Sequence, residues 1–206
     1  MAKLLLELSK PEFPNIGALT EGPNGEFTVC RRPFTFNMNE LSTSANVPPH
    51  VLPDPNAVFE SAADYFKSLA RCLFGKVLEC IQFHEGPFRL YCDDFRPSNV
   101  LVDIENVRIA GVIDWEFTYA SPAEFSYVAP WWLLLQAPED WESDLTEFLT
   151  RYTSRFHLFL DALRAAESDM MSDGKLRESQ RLSPHMEKSL DNKLFWVSGS
   201  TVQLHV

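Results

Sequence analysis

The residues best placed to do chemistry lie in one stretch, Cys92-Asp93-Asp94-Phe95-Arg96-Pro97-Ser98-Asn99, Val100-Leu101-Val102-Asp103 and Gly111-Val112-Ile113-Asp114-Trp115-Glu116. An acidic residue is followed five positions later by an amide. Apolar residues, a turn and a second apolar run ending in a carboxylate come next. Phosphoryl transfer uses such a set, because it needs in-line positioning and charge neutralisation more than covalent help. Asp94 is placed to orient a hydroxyl and take its proton. Asn99 and Asp114 offer the hard oxygen donors that magnesium prefers, with phosphate and water completing its shell.

The elements around these residues must position them. Pro97 restricts the loop and Ser98 can bond its own backbone. Val100-Leu101-Val102 reads as a short strand, Ile104-Glu105-Asn106 as a turn, and Val107 to Ile113 as a second strand. A hairpin of that length returns its far end to its start, so Asp114 is expected beside Asn99. A plainer reading stands for each residue: Asp94 as a loop-capping carboxylate, Asn99 and Asp114 as turn and strand-end hydrogen-bonding groups. An isolated Asp-x-x-x-x-Asn carries little information; the ordered combination carries much. Asp93 is expected to point elsewhere, and Arg96 to brace the loop.

These motifs resemble the aminoglycoside phosphotransferase and choline kinase-like family, most closely a branch abundant in filamentous fungi. The family usually writes His-Gly-Asp-Leu-His-Pro-Gly-Asn where this chain has Cys92 to Asn99, and its Ile-Asp-Trp-Glu matches Ile113 to Glu116. Cys92 stands where the family has a loop-bracing His, and a thiol hydrogen-bonds weakly. Further likeness lies in Phe13 to Leu19, Pro122-Ala123-Glu124-Phe125, Pro130-Trp131-Trp132 and Leu182 to Met186. The resemblance implies a protein kinase-like C-terminal lobe in an α+β, mainly helical fold with two small β-hairpins. It implies an ATP-dependent transferase acting on a small-molecule hydroxyl, with Asp94 catalytic, Asn99 and Asp114 as metal ligands, and Mg2+ and ATP as cofactors. Trp131 and Trp132 read as core, or as the lining of a substrate pocket.

The family's small lobe carries a phosphate-covering loop, a strand Lys and its Glu partner. None is found ahead of Asp94: Gly22-Pro23-Asn24-Gly25 reads as a hairpin turn, with no helix after it. The sequence is therefore expected to begin within the linker joining the lobes, and to be weak or inactive alone. The alternatives are a non-catalytic binding or regulatory module of kinase ancestry, and a degenerate fragment.

A chain of 206 residues, 45% hydrophobic and 13% aromatic, suits one core, here residues 1–197, with 198–206 expected to fray. No apolar run approaches the roughly 18 residues of a membrane span. A net charge of -11 argues against nucleic acid and anionic membrane partners, and the resemblance implies a small-molecule acceptor. Cys30, Cys72, Cys80 and Cys92 have neither metal nor disulfide-framework spacing, which suggests reduced thiols and a cytoplasmic setting. Helices are expected at Ala2 to Ser9, after the Ser61 cap along Tyr65, Phe66, Leu69, Leu73, Phe74, Val77 and Ile81, from Leu145 to Leu163, and within Leu182 to Leu194. Asn37 to Pro55, Pro122 to Pro138 and Glu167 to Arg181 read as connections, the last one mobile.

Overall fold

The computed structural model describes residues 1–43, 52–73, 85–136 and 145–190. The later half of the Tyr65 to Ile81 stripe, the end of the Leu182 to Leu194 segment and the 198–206 tail lie outside the described residues.

The chain opens with α1 (Ala2–Leu8) and a short strand β1 (Glu12–Phe13). β2 (Gly17–Glu21) and β3 (Phe27–Arg31) form the expected hairpin about the Pro-Asn-Gly turn. Gly17 is required by close approach: a Cβ there would meet the Arg31 carbonyl oxygen at 2.4 Å. The hairpin does not stand alone. β2 also pairs with β7 (Thr118–Ser121), which pairs with β4 (Phe88–Cys92), which pairs with β1. The result is a five-stranded sheet of order β1-β4-β7-β2-β3 whose pairings are all antiparallel. The expectation of two small hairpins is thus corrected to one sheet and one hairpin. That hairpin is β5 (Val100–Asp103) with β6 (Arg108–Val112), where Asp103 Oδ1 accepts the Glu105 and Asn106 N–H groups at the turn.

A second correction falls at Asn37 to Pro55, where α2 (Phe36–Thr43) replaces the start of the expected loop. Thr35 begins it: its hydroxyl accepts the Met38 N–H at 3.2 Å, a cap that offsets a helix-poor composition. α3 (Ala62–Leu73) starts as its sequence suggests, with the Ser61 hydroxyl accepting the Asp64 N–H and donating to the Asp64 carboxylate. α3 and the sheet enclose a core of Ile16, Phe59, Tyr65, Phe66, Phe88, Tyr119 and Phe125. The segment expected as a loop after Pro122 contains α4 (Ala123–Ser126) and a 3-10 turn over Trp131–Leu134.

The largest element is α5 (Leu145–Ser172), 28 residues or about 42 Å long. It overruns the connection expected from Glu167. The apolar stripe Phe156, Phe159, Leu160 and Leu163 continues through Ala166 and Met170, so helical packing persists where the surface becomes charged. Gly174 ends it at φ 69°, with the Lys175 N–H on Met170 O and the Gly174 N–H on Met171 O. That is the paired bonding of a Schellman cap. α6 (Ser183–Ser189) packs against α5, and Leu6 of α1 joins the same core.

Candidate active site

The loop that carries Asp94 leaves the sheet at Cys92 and returns through β5, β6 and β7. This path places Asp94 and Asn99 side by side. Asn99 Nδ2 donates to Asp94 O and to Asp94 Oδ2, both at 2.9 Å. The other carboxylate oxygen, Oδ1, is ion-paired with Arg96 Nε at 3.0 Å. Asp94 and Asn99 are both buried. A carboxylate so held has one orientation. With the Asn99 nitrogen aimed at Asp94, its carbonyl oxygen faces the other way, as an amide requires.

Asp114 arrives through the hairpin. The Ile113 N–H donates to Asn99 O at 2.9 Å, so Asp114 follows directly on a residue bonded to Asn99. Asp114 is exposed and takes φ 66°, a left-handed conformation uncommon outside glycine. Strain of that kind persists where the surroundings enforce it, often at functional sites. Among the described residues its carboxylate makes no hydrogen bond or ion pair. No group of three or more His, Cys, Asp and Glu side chains that could hold a metal occurs among the described residues. The donor set here is one amide and one carboxylate, which suits magnesium that arrives already bound to phosphate oxygens.

Several contacts brace the loop. The rings of Phe95 and Trp115 stack at 6.2 Å, and Trp115 Nε1 donates to Val112 O at 3.0 Å. From behind, buried Trp132 donates Nε1–H to Phe95 O at 2.7 Å. Sequence reasoning weighed Trp132 only as core or pocket lining; its bond to the loop was signalled by nothing local, being 37 residues away. Trp131 and Trp132 do line an apolar cavity of about 70 Å³, with Leu5, Leu90, Cys92 and Met186. The cavity backs onto the loop, and Asp94, Asn99 and Asp114 are not among its walls. Burial pushes the Cys92 thiol above its ordinary range; the Thr118 hydroxyl and the Asp94 backbone oppose it more weakly. Cys92 is thus a packed neutral group rather than a nucleophile. Asp93 turns away from Asp94 and accepts the Tyr119 hydroxyl at 3.1 Å.

Comparison with known proteins adds one decisive fact. Residues 31–167 match the model of the phosphotransferase enzyme family, APH. The chain belongs to that family. No curated protein and no solved structure matches it. The matched span contains the loop, the hairpin and most of α5, so family membership and the local geometry bear on the same residues.

Proposed function

We propose that this member of the phosphotransferase family catalyses ATP-dependent transfer of a phosphoryl group to the hydroxyl of a small molecule on a kinase-like lobe. The observation that carries the reading is the joint placement of Asp94, Asn99 and Asp114 by two hydrogen bonds at 2.9 Å, one between side chains and one through Ile113. Asp94 receives the acceptor's proton as its oxygen bonds to the γ-phosphorus and the bond to ADP breaks. Arg96, partly exposed, can leave Oδ1 when an acceptor hydroxyl takes its place. Asn99 Nδ2 holds the other oxygen throughout. Asn99 Oδ1 and the Asp114 carboxylate are the groups that would hold magnesium. When bound, that ion neutralises the charge on the ATP phosphates. Leu101 and Ile113 are exposed on the same hairpin, and Leu101 lies opposite Gly111, where an added Cβ would meet open space. A flat apolar shelf of this kind suits a nucleobase.

Residues 1–93 supply neither a glycine-rich phosphate loop nor a Val-Ala-x-Lys strand. The chain alone is therefore expected to be a slow enzyme, since positioning contributes up to roughly 7–11 kcal/mol in favourable systems. The Asp-Asp-Phe-Arg-Pro-Ser-Asn loop supports placement in the fungal branch. Free Cys30 and Cys92 support a cytoplasmic setting, and the acidic balance supports an acceptor that is neither nucleic acid nor membrane. Among the described residues no helix is long and apolar enough to cross a membrane.

The test is paired. ATP consumption is measured over a panel of amino and hydroxyl acceptors, for the chain as given and for a fusion to a small lobe of the same family. Asp94→Asn is expected to reduce turnover about 10²–10⁴-fold in whichever form is active, the usual worth of a positioned base. Nucleotide or acceptor binding without turnover in either form would favour the non-catalytic module instead. The lack of a phosphate-covering loop and a strand Lys in residues 1–93 is the observation behind that second reading.

A further inference from the structure

Asp93 takes no part in the chemistry above, yet it is held by two bonds to one segment. Its backbone N–H donates to Phe117 O at 3.2 Å, and its Oδ1 accepts the Tyr119 hydroxyl at 3.1 Å. Tyr119 is fully buried, with Tyr65, also buried, next to it in the core. Burial first, and the charge of Asp93 second, raise both phenols well above their ordinary range, so the Tyr119 proton stays in place to be donated. Both anchors lie three to five residues beyond Asp114. Asp93 itself is the residue before Asp94. Asp93 therefore joins, by its main chain and its side chain, the loop that carries the candidate base to the strand that follows the candidate metal ligand.

We infer that Asp93 is a positioning residue, which fixes Asp94 relative to Asp114 by clamping the loop onto Phe117 and Tyr119. Of the other ties between the same segments, the Cys92–Thr118 pairing lies on the near side of Asp94, and Ile113 to Asn99 and Phe95 to Trp115 lie on the far side. Without the Tyr119 bond the near-side holds left on the loop are main-chain ones, the Cys92–Thr118 pairing and the Asp93 N–H on Phe117 O, and Asp94 is less closely fixed. The inference rests on the phosphoryl-transfer reading for its catalytic consequence, but the clamp has a signature of its own.

Two measurements on Tyr119→Phe, Asp93→Ala and Asp93→Asn test it. In a turnover-competent form, Tyr119→Phe and Asp93→Ala are expected to lower kcat about tenfold or more with KM within about twofold, since small misplacements of reacting groups cost rate rather than binding. The double variant Asp93→Ala/Tyr119→Phe should be no slower than Asp93→Ala, because the two groups act as a unit. Asp93→Asn keeps an acceptor oxygen and should recover most of the rate. Independently of turnover, hydrogen exchange at the Phe95 and Asn99 amides should rise about tenfold relative to core amides of α5, which report global unfolding. Glu167→Gln, distant in the helical core, should lower the melting temperature without that local rise. Absence of turnover in wild type would overturn the phosphoryl-transfer reading, and loop exchange would still decide the clamp. Unchanged loop exchange in Tyr119→Phe, or wild-type kcat in that variant, would overturn the inference.

Discussion

Two buried carboxylates mark two regions built on different terms. Glu167, on α5, accepts four bonds: the Leu182 and Ser183 N–H groups, the Ser183 hydroxyl and Arg181 Nε. Around it the helical core closes over Leu6, Tyr152, Leu160, Leu163 and Met186, each no more than 1% exposed. Asp94 has Arg96 and Asn99, and the hairpin beside it presents Leu101, Val102, Ile104, Val107, Ile109 and Ile113 at 42–87% exposure. The helical region satisfies Glu167 from within and buries the inner apolar stripe of α5, with Leu149 and Leu158 left on its outer side. The site region keeps the Asp94 carboxylate fixed but leaves an apolar surface uncovered, and surfaces of that kind mark places where something else binds. Rigidity and completion are thus separate properties: the site is braced from behind and open in front.

The contrast can be broken most forcefully in the helical core. Leu163→Ala removes a fully buried side chain from the α5 stripe and should cost about 2–5 kcal/mol, read by urea unfolding. Leu101→Ala in the hairpin, half exposed, should cost far less by the same measurement. Equal losses would mean that the hairpin is as well covered in solution as the helices are.

Glu167→Gln sharpens the comparison at the next level, at about 2 kcal/mol, because the buried Ser183 and Leu182 N–H groups then meet a neutral acceptor. The pH dependence has a definite sign. Burial alone would raise the Glu167 carboxyl, but the bonds from Ser183, Arg181 and Leu182 together outweigh it and hold it below its ordinary value. Its contribution is therefore fully present above the unfolded carboxyl range, near pH 4.3, and is lost as the pH falls through the lowered folded value. Unfolding followed from pH 7 to pH 3 should show that loss in the wild type and a shallower slope in Glu167→Gln. Parallel slopes would remove Glu167 as its source.

The same two regions differ in how far they could be read from sequence. Asp94, Asn99 and Asp114 stand out as candidates because hydroxyl deprotonation and oxygen coordination would demand those residue types at such spacings. The α5 stripe stands out because burial on a helix is periodic. Glu167 misleads for the opposite reason: a charge on a polar stretch suggests solvent, and only the fold brings Leu182 and Ser183 to it. β4 and β7 are hidden by distance and weak patterning. Phe88-Arg89-Leu90-Tyr91-Cys92 shows no clean alternation, and its partner Thr118–Ser121 lies some thirty residues on. α2 is hidden by composition, since its start rests on the single Thr35 cap.

The smallest effect has the opposite sign and probes the open surface itself. Val107, at the tip of the hairpin, is 85% exposed and takes φ 51°. A β-branched residue pays for the left-handed conformation, about 1–2 kcal/mol against a right-handed one, and Asn tolerates it better. If nothing covers the tip, Val107→Asn loses no burial and relieves the backbone. Stabilisation of about 0.5–1 kcal/mol is then expected, as for other substitutions that suit the native dihedrals better. It should appear locally, as a rise of roughly two- to fivefold in hydrogen-exchange protection at the Val102 and Ile109 amides, by the tenfold-per-1.36 kcal/mol relation. A loss of protection would mean that the Val107 side chain is packed against another group in solution. The hairpin would then be a finished surface like the helical core, and the contrast between the two regions would fail at the place where it is drawn most sharply.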